Sequence, residues 1–441
     1  MNIILNKKII TTFIIIPIII IVTISFSLYL TTGDQQRDII QDLRFIRDNT
    51  QGLIKNTERT IGVPLDAKIS DNNFQVEEYI VGLNTPTSIK FLENNILILE
   101  KNTGKVRLIK NGILQSSPIL DVAVSYHNEQ GLLGIAVIKP HVFLYYTESD
   151  KDGGESIGNH IYKYDWIDEK LTNPKLIAKL PSKSLWHNGG KLASNMDGDL
   201  FAVIGDQTPT GSTLDKYRVL QNTPQGDIDD TSAIFKIDTE GKILQPMLSE
   251  NPTENYYAIG IRNSFGLAID PITGNLWDTE NGMTNYDEIN LVEPKFNSGW
   301  VQIMGPASED QITSLPSFEN FIYSDPEFSW ERPTVPTDLI FPTSTQFEKY
   351  HNTLFVADCL GNIYKFTLNS DRTGFVLQTP HLTDLTANMI IDDNGNQVLE
   401  PLDEILFGTG FGCITDLEFG PDGFLYVSSL SENTIYKIGP T

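Results

Sequence analysis

Asp416-Leu417-Glu418-Phe419, an Asp422-Gly423 turn, Phe424-Leu425-Tyr426-Val427 and Thr434-Ile435-Tyr436-Lys437-Ile438 follow one another at the end of the chain. Three short apolar runs, the first two joined by a tight Asp-Gly turn, spell an antiparallel meander. The same order recurs upstream. Leu339-Ile340-Phe341, Thr353-Leu354-Phe355-Val356 and Asn362-Ile363-Tyr364-Lys365-Phe366 form one unit, and Gly266-Leu267-Ala268-Ile269, Asn275-Leu276-Trp277 and Glu288-Ile289-Asn290-Leu291 form another. Three more begin at Gly190-Lys191-Leu192, at Gly131-Leu132-Leu133-Gly134 and at Ser88-Ile89-Lys90-Phe91. One meander cannot bury both of its faces, whereas a closed ring of them can, leaving only short protected edges. The expected fold is all-β, a six-bladed β-propeller over residues 74–441. The stretches 147–159, 206–231 and 301–335, rich in Gly, Pro, Asp and Ser, read as loops on one rim.

Ahead of the repeats, residues 9–30 carry no charge and follow Lys7 and Lys8. A run of that length spans a bilayer as a helix and is longer than the apolar core of a cleaved signal. Residues 1–30 are therefore expected to be an N-terminal transmembrane helix, a single-pass membrane anchor that leaves the propeller outside the cytoplasm. Residues 31–73 read as a stalk, with a short amphipathic helix around Ile39, Ile40, Leu43 and Ile46, or as a plain spacer.

The chain has 57 acidic against 32 basic residues and a net charge of −25. Nucleic acid is excluded as a partner on that balance, because a binder must cluster Lys and Arg against phosphates. The two cysteines, Cys359 and Cys413, allow one pairing in an exported protein.

In a meander the residue before strand one and the residue after strand two meet at the same blade end, and in a propeller that end opens on the central channel. The sequence thus nominates the channel mouth. Gln130, His187-Asn188, Arg262-Asn263, Thr337-Asp338 and Cys413 precede first strands; Glu100, Glu148, Asp206, Glu280, Asp358 and Ser429 follow second strands. The five acids either accept from turn amides or, as a ring, hold a cation or neighbouring cationic side chains. His187 shares its blade end with Asp206, and a histidine oriented by a carboxylate is a ready general base. The alternative is a histidine satisfied within its glycine-rich turn. Arg262 and Asn263 offer donors for anionic oxygen, or else a rim salt bridge.

From Val81 to Gly439 the chain resembles the glucose/sorbosone dehydrogenase family of soluble pyrroloquinoline-quinone (PQQ)-dependent sugar dehydrogenases. The resemblance rests on Gln130 to Ala136, His187-Asn188-Gly189-Gly190-Lys191-Leu192, Gly205-Asp206, and the run from Tyr257 through Arg262-Asn263, Glu280-Asn281-Gly282 and Asp287 to Leu291, ending at Asn297-Ser298-Gly299-Trp300. It implies a quinone over the channel, with His187 taking the proton of a sugar C1 hydroxyl, Asp206 orienting His187, and Arg262, Asn263 and Gln130 contacting the cofactor. It also implies calcium on the carbonyls of Gly282 and Met283, and a second calcium at Glu288. Where the family carries cofactor-binding cations this chain has Asp358-Cys359-Leu360-Gly361 and Cys413-Ile414-Thr415-Asp416. Each lost cation removes a charge-assisted hydrogen bond worth roughly 1.5–3 kcal/mol. The same alignment brings Cys359 and Cys413 near one another and implies a disulfide there.

The resulting expectation is a PQQ-dependent sugar (aldose) dehydrogenase. Two alternatives stand beside it: a catalytically silent anchored propeller that binds a carbohydrate or protein partner, and a calcium-dependent lactonase built on ringed carboxylates.

Overall fold

The computed structural model describes residues 67–195, 197–208, 219–223, 226–240, 252–392 and 395–441. Among the described residues six sheets built on antiparallel meanders form, one for each repeat, two of them extended by short parallel strands, beside a separate two-stranded hairpin, Met389–Ile391 with Gln397–Leu399. Their first strands are Pro86–Leu92, Leu132–Ile138, Leu192–Ser194, Ser264–Ile269, Pro336–Ile340 and Ile414–Phe419, which touch in that order, the sixth meeting the first. That closed circuit is the propeller. The second strands Asn95–Glu100, Leu200–Ile204, Leu276–Glu280, Thr353–Asp358 and Leu425–Ser429 are buried at every residue. A blade covered by neighbours on both faces needs continuous apolar strands rather than alternating ones, which is why the repeats read so plainly.

The ring is closed by a strand from before the first repeat. Phe74–Val81 pairs antiparallel with Thr434–Pro440 as the outer strand of blade six. Upstream of it, Lys68–Ile69 pairs with Leu406–Thr409 at the edge of blade five. This corrects the stalk boundary, since residues 67–73 already belong to the propeller. The remainder of the expected stalk and the expected transmembrane helix lie outside the described residues. Among the described residues no helix is long and apolar enough to cross a membrane.

The three expected rim loops are largely ordered differently. Most of 147–159 continues the long hairpin His141–Ser149 and Ser156–Ile167 of blade two. Within 301–335, Phe328–Trp330 is the fourth strand of blade four, and Glu309–Ser314 is a helix closed by a Ser308/Gln311 capping box. Of 206–231, the described part includes the 3-10 turn Val219–Gln221.

Blades four and five are tied by a buried two-pronged ion pair at the end opposite the mouth. Arg372 Nε lies 2.6 Å from Asp270 Oδ2 and its Nη2 3.0 Å from Oδ1, with the guanidinium 5.5 Å over the Phe341 ring. Breaking such a pair strands a buried charge. Arg372→Ala is expected to lose about 3–5 kcal/mol of unfolding free energy, read as a lower urea midpoint at unchanged slope. Arg372→Lys should recover only part, because an ammonium cannot make the paired contact.

Candidate active site at the channel mouth

His187 stands at a left-handed backbone position (φ 60°) leading into Gly189 and Gly190. A Cβ on Gly189 would lie 2.3 Å from the Val203 carbonyl, so the turn must be glycine to press against the second strand of its blade. Gly205 does the same between blades: a Cβ there would lie 2.3 Å from the Arg262 carbonyl and 3.1 Å from His187 Cβ. Small residues thus let His187 and Arg262 converge on one spot.

The His187 carbonyl accepts from Gly205 N at 3.1 Å and from Gln207 Nε2 at 2.8 Å. Its Nδ1 donates to the Asp206 main-chain carbonyl at 2.8 Å. A carbonyl can only accept, so the proton sits on Nδ1 and Nε2 carries the lone pair. Burial, with Arg262 nearby, lowers the imidazole pKa to about 3, which keeps the ring neutral.

Asp206 therefore orients His187, though not through its carboxylate as expected. The carboxylate accepts from Trp300 Nε1 at 2.8 Å, Gln221 Nε2 at 2.7 Å and Thr208 N at 2.7 Å. It is a brace that positions Trp300, and the Trp300 ring lies 5.3 Å beneath the Arg262 guanidinium.

Arg262 is buried. Its Nη1 donates to the Asn281 carbonyl at 2.6 Å and its main-chain N–H to Glu280 Oε1 at 2.9 Å, while its Nε has no partner among the described residues. Asn263 Oδ1 is likewise buried without a partner. Other buried polar atoms, such as Arg107 Nε and Trp277 Nε1, also lack a partner among the described residues; what sets Arg262 and Asn263 apart is that they lie beside a neutral histidine.

Gln130 does not join them. Its amide is spent on the framework, accepting from Ser125 Oγ at 2.7 Å and donating to Ser182 Oγ at 3.1 Å. The preceding residue, Glu129, takes its place. Its carboxylate accepts from the His187 main-chain N–H and faces Asn263 Nδ2 at 3.5 Å. Burial raises its pKa to about 7, against the pull of His187 N–H and Arg262. The two residues lie in a tight turn, where Gln130 N donates to the His127 carbonyl at 2.9 Å and Asn128 is left-handed, so neighbouring side chains leave it in different directions.

The acidic ring resolves into separate braces. Glu100 binds Arg107 at 3.1 Å, Glu148 accepts from Tyr162 at 2.7 Å, Glu280 accepts from Ser298 at 2.9 Å, and Asp358 accepts from Tyr364 at 2.8 Å. Each acid accepts from groups of its own blade end or of a neighbouring blade.

The Gly282-Met283 loop adjoins Arg262 through Asn281. Gly282 N donates to Asp287 Oδ1 at 2.8 Å, and a Cβ there would strike the Tyr286 carbonyl at 2.0 Å. Glu288 faces Glu280 across the blade and accepts from Gly305 N; burial raises its pKa to about 8. Among the described residues no three His, Cys, Asp or Glu side chains form a metal cluster.

Cys359 and Cys413 are joined as a disulfide between blades five and six. Thr415 Oγ1, at another expected cation position, donates to the Pro86 carbonyl at 3.0 Å.

The sequence profile of the family described as "Glucose / Sorbosone dehydrogenase" matches residues 83–436. The chain belongs to the glucose/sorbosone dehydrogenase family. It is 25% identical over 379 residues to the aldose sugar dehydrogenase YliI of Escherichia coli (strain K12), which covers 81% of this chain and 91% of that protein. The apo form of the soluble aldose sugar dehydrogenase from Escherichia coli superposes with a TM-score of 0.62 at 21% identity, over 83% of this chain and 100% of that one. The PQQ-bound form of the aldose sugar dehydrogenase from Streptomyces coelicolor gives 0.59 at 18% identity, over 85% and 99%. At such identities these structures speak for the fold, and the all-β propeller is the family's.

Asp206→Asn puts an amide where three donors converge. It is expected to lower stability by about 1–3 kcal/mol, while the imidazole stays in its Nδ1–H tautomer because the carbonyl is untouched. Imidazole 15N shifts and a thermal melt on the same sample check both halves.

Proposed function

We propose that this chain is a sugar dehydrogenase that oxidises the C1 hydroxyl of an aldose to a lactone, with a quinone as the two-electron acceptor. The observation that carries this reading is a neutral His187 with Nε2 unprotonated, set beside the unpaired Arg262 Nε and Asn263 Oδ1 in the channel mouth. His187 Nε2 takes the hydroxyl proton as the C1 hydride leaves, and the C1–O bond becomes the lactone carbonyl. The Asp206 carbonyl stabilises the imidazolium that forms, and the Glu129 carboxylate adds its charge from the other side. The Arg262 guanidinium donates to the oxygen-bearing edge of the acceptor and draws electron density toward it, while Asn263 Oδ1, an acceptor, is left for a hydroxyl donor.

PQQ, the cofactor in the Streptomyces relative's structure, also carries carboxylates. The Arg262 guanidinium, on the approach to blade four, suits a quinone oxygen. The arc of blades five and six presents a disulfide, Leu360 and a Thr415 already engaged, which do not suit the carboxylates. No step is therefore routed through PQQ. The Gly282 and Met283 carbonyls, with Glu288 deeper in the blade, are where we place calcium. The lactonase reading loses its basis in the ringed acids, which are spent as braces. A silent, sugar-binding propeller is the competing reading, favoured by the altered arc alone. The disulfide supports an oxidising compartment, in keeping with an exported, anchored propeller.

The test is dye-linked oxidation of a panel of aldoses by the full chain. His187→Ala is expected to lower turnover by about 10²- to 10⁴-fold with the fold intact by circular dichroism; equal turnover would remove the assignment.

Turnover should also depend on pH through Glu129. Facing it are His187 N–H, Asn188 N–H, Asn263, Arg262 and, electrostatically, Lys101. Its carboxyl ionises as pH rises through about 7, and the anion strengthens His187 as a base. Turnover is thus expected to climb through that range. Glu129→Gln should flatten the limb, since His187 itself titrates only near 3. A pH profile unchanged by the substitution would show that Glu129 plays no part.

A further inference from the structure

The channel mouth has two unlike arcs. One is polar: Glu129, His187, Arg262 and Asn263 on the starts of blades two, three and four. The other carries exposed apolar side chains on three neighbouring segments. Gly282 N donates to Asp287 Oδ1, and Asp287 Oδ2 accepts from Thr334 N and Val335 N, each at 2.7 Å. The Val335 carbonyl accepts from Cys359 N at 2.9 Å, and Cys359 is bonded to Cys413. This run of bonds ties the Gly282, Val335 and Cys359 segments to one another, and Met283, Val335 and Leu360, on or next to them, are 46%, 38% and 61% exposed. Exposed apolar side chains that share one rim of a site select what docks there.

The charges point the same way. The Arg262 guanidinium is already faced by Asp206, Asp287, Glu129 and Glu280. Lys101 faces Glu129, and its Nζ bonds Asn102 Oδ1 at 3.1 Å. Arg332, on the connection into blade five, is exposed to solvent. An ionised substituent laid on the Met283–Val335–Leu360 arc would lose water and meet methyl groups and sulfur.

We propose that the acceptor held in this mouth is an uncharged quinone that has a ring oxygen facing the Arg262 guanidinium and an apolar edge on Met283, Val335, Leu360 and the Cys359–Cys413 bridge. The proposal rests on the dehydrogenase reading for its chemistry. The sugar loses a hydride from C1 to the quinone and a hydroxyl proton to His187. That proton then passes to the reduced quinone, giving lactone and quinol in equal amounts.

Two probes separate the possibilities: menadione, an uncharged naphthoquinone, and PQQ with calcium chloride. Each is titrated into the full chain, with quenching of tryptophan fluorescence as the readout. Menadione is expected to bind at least about tenfold more tightly than PQQ, a gap that matches one missing charge-assisted contact. Leu360→Lys, at an exposed position that the fold does not need, should tighten PQQ about tenfold and weaken menadione. Tighter binding of PQQ to the unaltered chain would overturn the proposal and leave the dehydrogenase reading standing. Affinities unmoved by Leu360→Lys would overturn it by placing the quinone elsewhere. Menadione bound as expected but never reduced by any aldose would uphold the quinone site and sink the dehydrogenase reading. Binding of neither probe would sink both.

Discussion

At the axis of the propeller, Lys191 Nζ lies 2.7 Å from Asp338 Oδ1 and pairs also with Asp416. These three residues come from the first strands, or their approaches, of blades three, five and six. Asp416 accepts in addition from Ile89 N of blade one, Asp338 Oδ2 from Leu417 N at 2.7 Å, and Lys90 pairs with Glu418 at 2.7 Å. Burial alone would lower the Lys191 pKa, but the two carboxylates reverse this and hold it above its ordinary value. A cation buried between two anions tolerates neither a lost partner nor a shifted blade. Sheets that pack through apolar faces can slide on one another; a charged knot at the centre removes that freedom. The mouth inherits this rigidity directly, because His187 lies four residues before Lys191, Val335 three before Asp338, and Cys413 three before Asp416.

The polar atoms of the mouth then divide into two kinds. Glu100, Glu148, Asp206, Glu280 and Asp358 occupy the same place in successive blades, and each accepts from groups of its own blade end or the next. They brace the scaffold. Arg262 Nε and Asn263 Oδ1 are left unpaired in the dry region beside them. Leaving such an atom unsatisfied costs about 1–3 kcal/mol, and the scaffold carries that cost here as it does at Trp277 and Trp330.

How far the sequence could be read depended on how many faces each segment buries. Second strands such as Leu200–Ile204 touch neighbours on both sides and stand out as apolar runs. Outer strands such as Lys68–Ile69 and Tyr256–Ile259 are short, lie far from their partners in the chain or follow a different rhythm, and carry little pattern of their own. The strand Phe74–Val81, which closes blade six, is paired with residues at the other end of the chain, a contact that no local pattern encodes. At the site, residue type was legible and atom was not. Glycines and one histidine located the mouth, yet the choice between Gln130 and Glu129 depends on how the turn from His127 to Gln130 aims two adjacent side chains. The bond from His187 to Asp206 runs to a carbonyl, a group that every residue possesses and no sequence distinguishes.

The division of the mouth follows from the order of the blades. Its proton-handling groups come from consecutive segments, Glu129, His187 and Arg262-Asn263, each entering the first strand of the next blade. The opposite arc is closed by a covalent bond between Cys359 and Cys413, which joins blades five and six. A disulfide is compact, apolar and indifferent to pH, so it fixes that arc without asking a ligand to complete it. The two halves therefore constrain a bound molecule differently: one by direction, through unpaired donors and acceptors, the other by shape and the exclusion of water. A flat ring with oxygens on one edge and carbon on the other satisfies both at once. A polyanion satisfies only the first.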